Sequence, residues 1–335
     1  MEPHGPTVLR VHAHATAAVS AKMEADSGML HPHTGAVPIV SVVMPFLNEE
    51  RYLEEAVQSI RDQQLTGWEL ILVDDGSTDR STRIARDLVA RDERIRYVDH
   101  PSHENRGMSA SRNLGAAHTT APYIGFLDAD DVSVPERLAE QVDLLEKMPD
   151  VALVDGAILY WSSWDPASTR ADRVRLTGGI AERRLDPPEP LLEIYPLGPA
   201  AGAGVTGLVR RSVFEAVGGF EERFRGLYED QAFLAKVWLR YPVYFSSRPW
   251  YHYRQHDASC SRRTSRADYW RLRGVFLEWL ESYVGPLGDP RVVAAVGRAR
   301  RQLPYRRLTA PAFEAFDRLP EEFQRRLRAL AGRSA

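Results

Sequence analysis

The chain has 335 residues, 44% of them hydrophobic and 27% charged, with a formal net charge of -3. That length buries a full core as one large domain or two, and the charge gives no global reason to expect nucleic acid as a partner. The single cysteine, Cys260, excludes an intramolecular disulfide and a thiolate zinc cage, which suits a cytoplasmic setting. No apolar run approaches the roughly 20 residues of a membrane span, and the start of the chain lacks a basic stretch followed by an apolar core, so neither a transmembrane helix nor a signal peptide is expected.

Residues 1–37 mix His, Ala, Gly and Pro without a sustained period and read as a disordered leader. Its histidines (His4, His12, His14, His31, His33) stand at irregular spacing without Cys or carboxylate company, a poor pattern for a metal site. From Pro38 the texture changes. A strand is expected over 39–46 (IVSVVMPF), then a helix over 52–63 with Leu53, Ala56, Val57 and Ile60 at helical spacing. The pattern repeats with a strand over 68–73 and a helix over 80–91, then a strand over 95–98 and a helix over 109–118. A strand over 123–127 precedes a helix that opens on Pro135, suited to a first turn, and runs to about residue 147. A fifth apolar run spans 151–160.

Strand and helix alternating at this spacing predict an α/β fold, a mostly parallel sheet covered by helices on both faces. With every strand pointing the same way, the loops after the strands gather at one edge, where ligands of such folds bind. The first four strands each run into a polar cluster. These are Pro45-Phe-Leu-Asn48-Glu49-Glu50, Asp74-Asp75-Gly76-Ser77-Thr78-Asp79, His103-Glu-Asn105-Arg106-Gly107 leading into Arg112, and Asp128-Ala129-Asp130-Asp131. Each alone has an ordinary reading as turn and capping chemistry; four along one edge point to a site.

Carboxylates crowded in a folded site raise one another's pKa or require a cation. Oxygen ligands favour magnesium or manganese over zinc, and such ions keep positions open for substrate phosphates. A metal on Asp128 and Asp130 facing a nucleotide diphosphate would neutralise charge on a leaving phosphate, with Arg106 and Arg112 adding positive charge. That is transfer chemistry rather than redox.

The stretches VSVVMPFLNEE, LILVDDGSTDRS, NRGMSASRNLG and YIGFLDADD, in this order and spacing, resemble the nucleotide-sugar-binding half of family 2 glycosyltransferases, inverting enzymes with the GT-A fold. The resemblance continues through Val213-Phe-Glu-Ala-Val-Gly-Gly-Phe-Glu221 and Tyr228-Glu229-Asp230 to Tyr253-Arg254-Gln-His256, covering roughly residues 38–262. It implies a nucleotide-sugar half over 38–160 and an acceptor half over 161–262; beyond it, 263–335 reads as an Arg-rich helical extension. By that resemblance Pro45, Asn48 and Glu49 border the nucleoside, Asp75 or Asp74 faces the base, and Arg112 and Ala129 lie near the donor. Asp128 touches ribose or metal, and Asp130, with His256 as a further ligand, holds Mn2+ or Mg2+. Asp230 takes the role of general base, removing the proton of an acceptor hydroxyl as it attacks the anomeric carbon.

Several of these residues keep a second reading. Asp230 opens an amphipathic helix and could be a first-turn acid favoured by the helix dipole, and His256 could be a surface loop residue. Tyr228, Trp161 and Trp164, with Glu229 beside Tyr228, are acceptor-side candidates whose rings could stack on a sugar or simply pack. Gly202-Ala-Gly204-Val-Thr-Gly207 has dinucleotide-binding spacing but does not join the first strand to the first helix, and reads instead as close backbone approach near an acceptor pocket.

Residues 262–335 hold 16 Arg against 8 Asp plus Glu. Helices are expected over 269–280 and 320–330, with arginines that are solvated faces or a peripheral contact to an anionic membrane surface. Gln302-Leu-Pro-Tyr-Arg306 does not match the Gln-x-x-Arg-Trp motif of processive family members, so single-sugar transfer is expected. The donor is a nucleotide-diphosphate sugar, UDP-linked as first choice, and the acceptor a saccharide or other hydroxyl compound. A sugar nucleotidylyltransferase and a catalytically silent sugar-binding protein are the alternatives.

Overall fold

The computed structural model describes residues 37–199, 204–256 and 264–317. The expected leader, apart from Val37, lies outside them, as do Gly202, Cys260 and the helix expected over 320–330.

The repeating first part takes the expected form: β1 (Val40–Phe46), α1 (Leu53–Arg61), β2 (Trp68–Asp74), α2 (Ser81–Val89), β3 (Ile95–Asp99), α3 (Met108–Ala117), β4 (Tyr123–Phe126), a short β5 (Val132–Ser133) and α4 (Arg137–Lys147). β1 pairs in parallel with both β2 and β4, and β2 with β3. The apolar runs are nearly continuous because both faces are covered. Val43, Ile71, Val73, Ile124 and Phe126 face one core. Val42, Met44, Leu70 and Leu72 face the other, with Leu53, Ala56, Val57 and Ile60 of α1.

Beyond α4 the chain departs from simple repetition. The 151–160 run splits into β6 (Leu153–Asp155) in the large sheet and β7 (Ile158–Trp161) in a second one. The break falls at Gly156, where a Cβ would stand 2.5 Å from the Trp250 ring and 2.7 Å from the Arg248 carbonyl oxygen. β8 (Arg173–Arg175), β9 (Arg183–Leu185) and α5 (Glu189–Glu193) follow, then β10 (Leu208–Arg210), α6 (Arg211–Val217), α7 (Glu229–Trp238), β11 (Val243–Phe245) and β12 (Tyr251–Arg254).

The large sheet has the order β3-β2-β1-β4-β10-β6-β11-β9, and the small one β5-β12-β7-β8. The expectation that every strand points one way is corrected here. β10 is antiparallel to both β4 and β6, and β9 is antiparallel to β11. β10 enters only because Gly207 precedes it: a Cβ there would lie 1.9 Å from the Val154 carbonyl oxygen. Of the glycines spaced like a dinucleotide motif, Gly207 serves a tight sheet insertion, as close backbone approach.

Two long helices, α8 (Arg266–Val284) and α9 (Pro290–Asp317), end the described chain. α8 buries Phe276, Leu277, Leu280 and Val284, and α9 buries Val292 and Val296, in the same core as Phe233 and Trp238 of α7. Among the described residues no helix is long and apolar enough to cross a membrane.

Candidate active site

The parallel register brings Phe46, Asp74 and Asp99 side by side at the ends of β1, β2 and β3, so the following loops are laced together. Asn48, at φ 58, accepts from the Thr78 N–H at 2.7 Å and offers its own N–H to the Ser77 hydroxyl at 3.0 Å. Asp75 accepts at Oδ1 from the backbone N–H groups of Arg106 (2.7 Å) and Gly107 (3.0 Å), tying the β2 loop to the start of α3. Behind it sits buried His100, with Nε2 3.6 Å from Asp75 Oδ1 and 2.9 Å from the Ser111 hydroxyl. Burial holds this imidazole below its ordinary pKa, which favours the neutral ring.

The three carboxylates after β4 diverge. Asp131 is fully buried and accepts from the Tyr251 hydroxyl and, at 2.7 Å, from the Arg254 N–H. Asp130 Oδ2 lies 2.8 Å from His256 Nε2. Asp128 Oδ1 accepts from Arg112 at 2.8 Å. Burial, reinforced by the charges of Asp130 and Asp230, pushes the Asp128 carboxyl above its ordinary pKa against the pull of Arg112. The repulsion implied by the motif is therefore divided among three separate partners, and only Asp128 and Asp130 remain at the open edge.

Arg112 has a second hand on the site. Its other terminal nitrogen reaches Asp230 Oδ1 at 2.6 Å, so one guanidinium, 5% exposed, joins carboxylates that stand 118 and 16 residues away. Two rigid donors in a fixed fork make Arg, and not Lys, the residue able to do this. A Cβ on Gly204 would stand 3.5 Å from Asp230 Oδ2, so that oxygen faces a position kept clear of a side chain.

A family model described as "Glycosyl transferase family 2" matches residues 41–217, just over half of the chain, spanning every strand-end cluster described above. The chain belongs to glycosyl transferase family 2. Over 110 residues it is 40% identical to "Uncharacterized glycosyltransferase EpsJ" of Bacillus subtilis (strain 168), which covers 32% of this chain and 31% of that protein. The chain spans less than half the length of such relatives at 37–40% identity. Among solved structures, S. aureus TarS 1-349 in complex with UDP-GlcNAc matches with a TM-score of 0.60 at 17% identity, over 85% of this chain and 77% of that one. The mannosyltransferase PcManGT of Pyrobaculum calidifontis, in complex with GDP-Man and Mn2+, matches with a TM-score of 0.57 at 18% identity, over 96% and 87%. These likenesses establish the GT-A fold.

Within this family 2 fold, Pro45 and Ala129 are buried at the strand ends, Asn48 is exposed, and Glu49 is half-buried beside it. Of the two residues offered as alternatives for facing the base, Asp74 does not face the open edge. It is fully buried and accepts from the Ser77 N–H at 2.8 Å and from the hydroxyls of Thr82 and Tyr97, so it builds the turn. Tyr228 is not an open sugar platform: it is 4% exposed and its ring stacks on Phe276 of α8 at 4.9 Å. Glu229 turns back to accept from the Gly226 N–H at 2.6 Å, and burial pushes its carboxyl up to about 7. Trp161 lies on the Asp130 side of the site rather than beside Asp230. Its ring is 4.7 Å from the Arg254 guanidinium, whose Nε donates to the Asp130 carbonyl at 2.7 Å. Arg106 pairs with exposed Glu104 at 3.0 Å.

Arg254, to which the motif assigns no role of its own, anchors the site. Buried among Tyr52, Trp161 and Trp164, it also pairs with Glu55 at 2.6 Å, and so fastens the Asp130 turn to α1. Nothing in its local spacing marks it, since Glu55 and Asp130 are 199 and 124 residues away. Among the described residues no group of three or more His, Cys, Asp or Glu is placed to hold a metal ion. Asp130 and His256, 2.8 Å apart, offer two protein ligands at most, so an ion held there would take the rest of its shell from phosphate oxygens and water.

Proposed function

We propose that this chain transfers a single sugar, with inversion, from a nucleotide-diphosphate sugar, UDP-linked as first choice, to a hydroxyl of a saccharide or other acceptor. The observation that carries this reading is the Arg112 bridge. It sets the acid expected on the donor side, Asp128, and the acid expected on the acceptor side, Asp230, at fixed places along the edge where the parallel strands end. The TarS and PcManGT structures hold UDP-GlcNAc and GDP-Man with Mn2+, respectively, which supports a nucleotide-sugar donor and a divalent ion here.

In this reading Asn48, Glu49 and Asp75 border the nucleoside. Asp75 is held by two backbone N–H groups and fixes the wall that Arg106 and Gly107 form. Asp130 and His256, with Asp128, would hold Mn2+ or Mg2+; when bound, the ion neutralises charge on the diphosphate. Asp230 Oδ1 is occupied by Arg112, which leaves Oδ2, facing Gly204, to accept the proton of the acceptor hydroxyl. The acceptor oxygen forms its bond to the anomeric carbon from one side. The bond from that carbon to the diphosphate oxygen breaks on the other, and its electron pair leaves with the nucleoside diphosphate. Inversion follows from one displacement.

The test is a thermal-shift panel of UDP- and GDP-sugars with and without Mn2+, followed by donor hydrolysis. A donor should raise Tm only with the metal, and Asp130→Ala should remove both the shift and the hydrolysis. Asp230→Asn should keep the shift and lose hydrolysis by about 100-fold or more. No shift with any donor, or full activity in Asp230→Asn, would count against the reading.

A further inference from the structure

The segment leading to Asp230 is held by the C-terminal part of the chain. Tyr228, the residue before α7, sits at φ 70 and ψ 9, a left-handed conformation that a bulky side chain adopts only when its surroundings impose it. Here α8 and the loop after α5 supply those surroundings. The Tyr228 ring stacks on Phe276 of α8 with an interplanar angle of 22°. Its hydroxyl meets that of Tyr195, which in turn lies 2.6 Å from the hydroxyl of Tyr269 at the start of α8. Tyr195 is itself held from α8, with the Arg273 guanidinium 4.9 Å from its ring and donating to the Pro196 carbonyl at 2.9 Å. Four residues earlier Phe224 packs its ring against Phe276 and Trp279. On the opposite side, Arg225 donates to Asn105 ahead of α3.

We infer that α8 is a working part of the site: through Phe276, Tyr269 and Tyr195 it imposes the left-handed turn at Tyr228 and thereby sets where Asp230 stands against Arg112. Asp230 is two residues past Tyr228, in the first turn of α7. A change in the Tyr228 dihedrals therefore swings the carboxylate directly, whereas α3, which carries Arg112, stays on the sheet. Tyr228, Tyr195, Tyr269 and Phe276 are positioning residues; none is assigned contact with donor or acceptor. The inference rests on the reading of Asp230 as the base. The strained backbone together with a hydroxyl chain distinguishes this from ordinary core packing, because a core of the same shape would tolerate loss of the hydroxyls.

The test compares Tyr195→Phe, which removes both hydroxyl links without changing ring volume, and Phe276→Leu, which removes the stack, with Asp230→Asn and the native chain. Hydrolysis is followed with whichever of UDP-GlcNAc, UDP-glucose and GDP-mannose gives the largest thermal shift in Mn2+. Each positioning variant should lower kcat by about tenfold with donor KM within about twofold, as expected for a displaced base beside an undisturbed donor site. Amide hydrogen exchange over residues 224–231 should rise by about tenfold while that of β1 and β2 is unchanged; this readout needs no turnover. Unchanged exchange over 224–231 in both variants overturns the inference, as does unchanged kcat where Asp230→Asn abolishes it; the reading of the base then stands. Activity retained in Asp230→Asn overturns that reading instead, and the exchange data still decide whether α8 imposes the turn.

Discussion

Replacing Arg112 by Met removes a buried cation and leaves two carboxylates facing each other. Each lost hydrogen bond involves charged groups and is worth about 1.5–3 kcal/mol, and breaking a buried pair from one side costs roughly 3–5 kcal/mol. Asp128 and Asp230 retain 33% and 27% side-chain exposure, so water recovers part of their solvation and the lower end, about 3 kcal/mol, is expected. For a domain of this size that corresponds to a fall in Tm of roughly 5 °C. The diagnostic is a double-mutant cycle in urea at pH 7. If the cost comes from unpaired carboxylates, Asp230→Asn in the Arg112→Met background should recover at least about 1 kcal/mol. Strict additivity, within about 0.5 kcal/mol, would refute the bridge as the source.

Three other outcomes follow from the geometry. Gly207→Ala places a Cβ 1.9 Å from the Val154 carbonyl oxygen, a backbone clash that cannot relax without parting β10 from β6; a loss of more than about 3 kcal/mol in urea unfolding is expected. Burial pushes the Asp155 carboxyl from 3.8 up to about 6, so the unfolded chain releases this proton first. Stability is therefore greatest below about pH 4 as far as this group is concerned and declines by about 3 kcal/mol as pH rises to about 6, at ~1.4 kcal/mol per pH unit. Asp155→Asn should make that decline shallower, with Glu229 and Asp128 still contributing, and an unchanged pH profile would sink the assignment. Arg254→Lys keeps the charge but loses the planar contact with three aromatic rings and the donation to the Asp130 carbonyl. The Kd for UDP in Mn2+, measured by calorimetry, should rise by about tenfold, and equal affinity would show that Arg254 does not hold the Asp130 turn.

The first four strands were legible because a parallel strand covered on both faces leaves a continuous apolar run, and the polar residues directly after it mark the ligand edge. What was not legible has a common cause. The antiparallel entry of β10 depends on Gly207 meeting β6, and Arg254 depends on Glu55 and Asp130, contacts between residues far apart that leave no local period. Asp74 and Asp75 stand next to each other in the same motif, yet one is consumed by its own turn and the other by the next loop. Neighbouring carboxylates of identical type cannot be told apart until the hydrogen-bond donors around each are known. Tyr228 kept both readings, sugar stacking and packing, because the helix that covers it begins thirty-eight residues later, at Arg266.

The placement of β10 between β4 and β6 also sets an order of assembly during synthesis. Strands β1 to β4 can zip together as soon as they leave the ribosome, but the outer side of β4 then waits for a partner that lies beyond residue 207. At ordinary elongation speeds that interval is on the order of ten seconds, during which an open hydrogen-bonding rim is presented to other nascent chains. A chain terminated between β6 and β10 would keep that rim permanently, and truncation there should yield inclusion bodies rather than a smaller soluble nucleotide-binding unit.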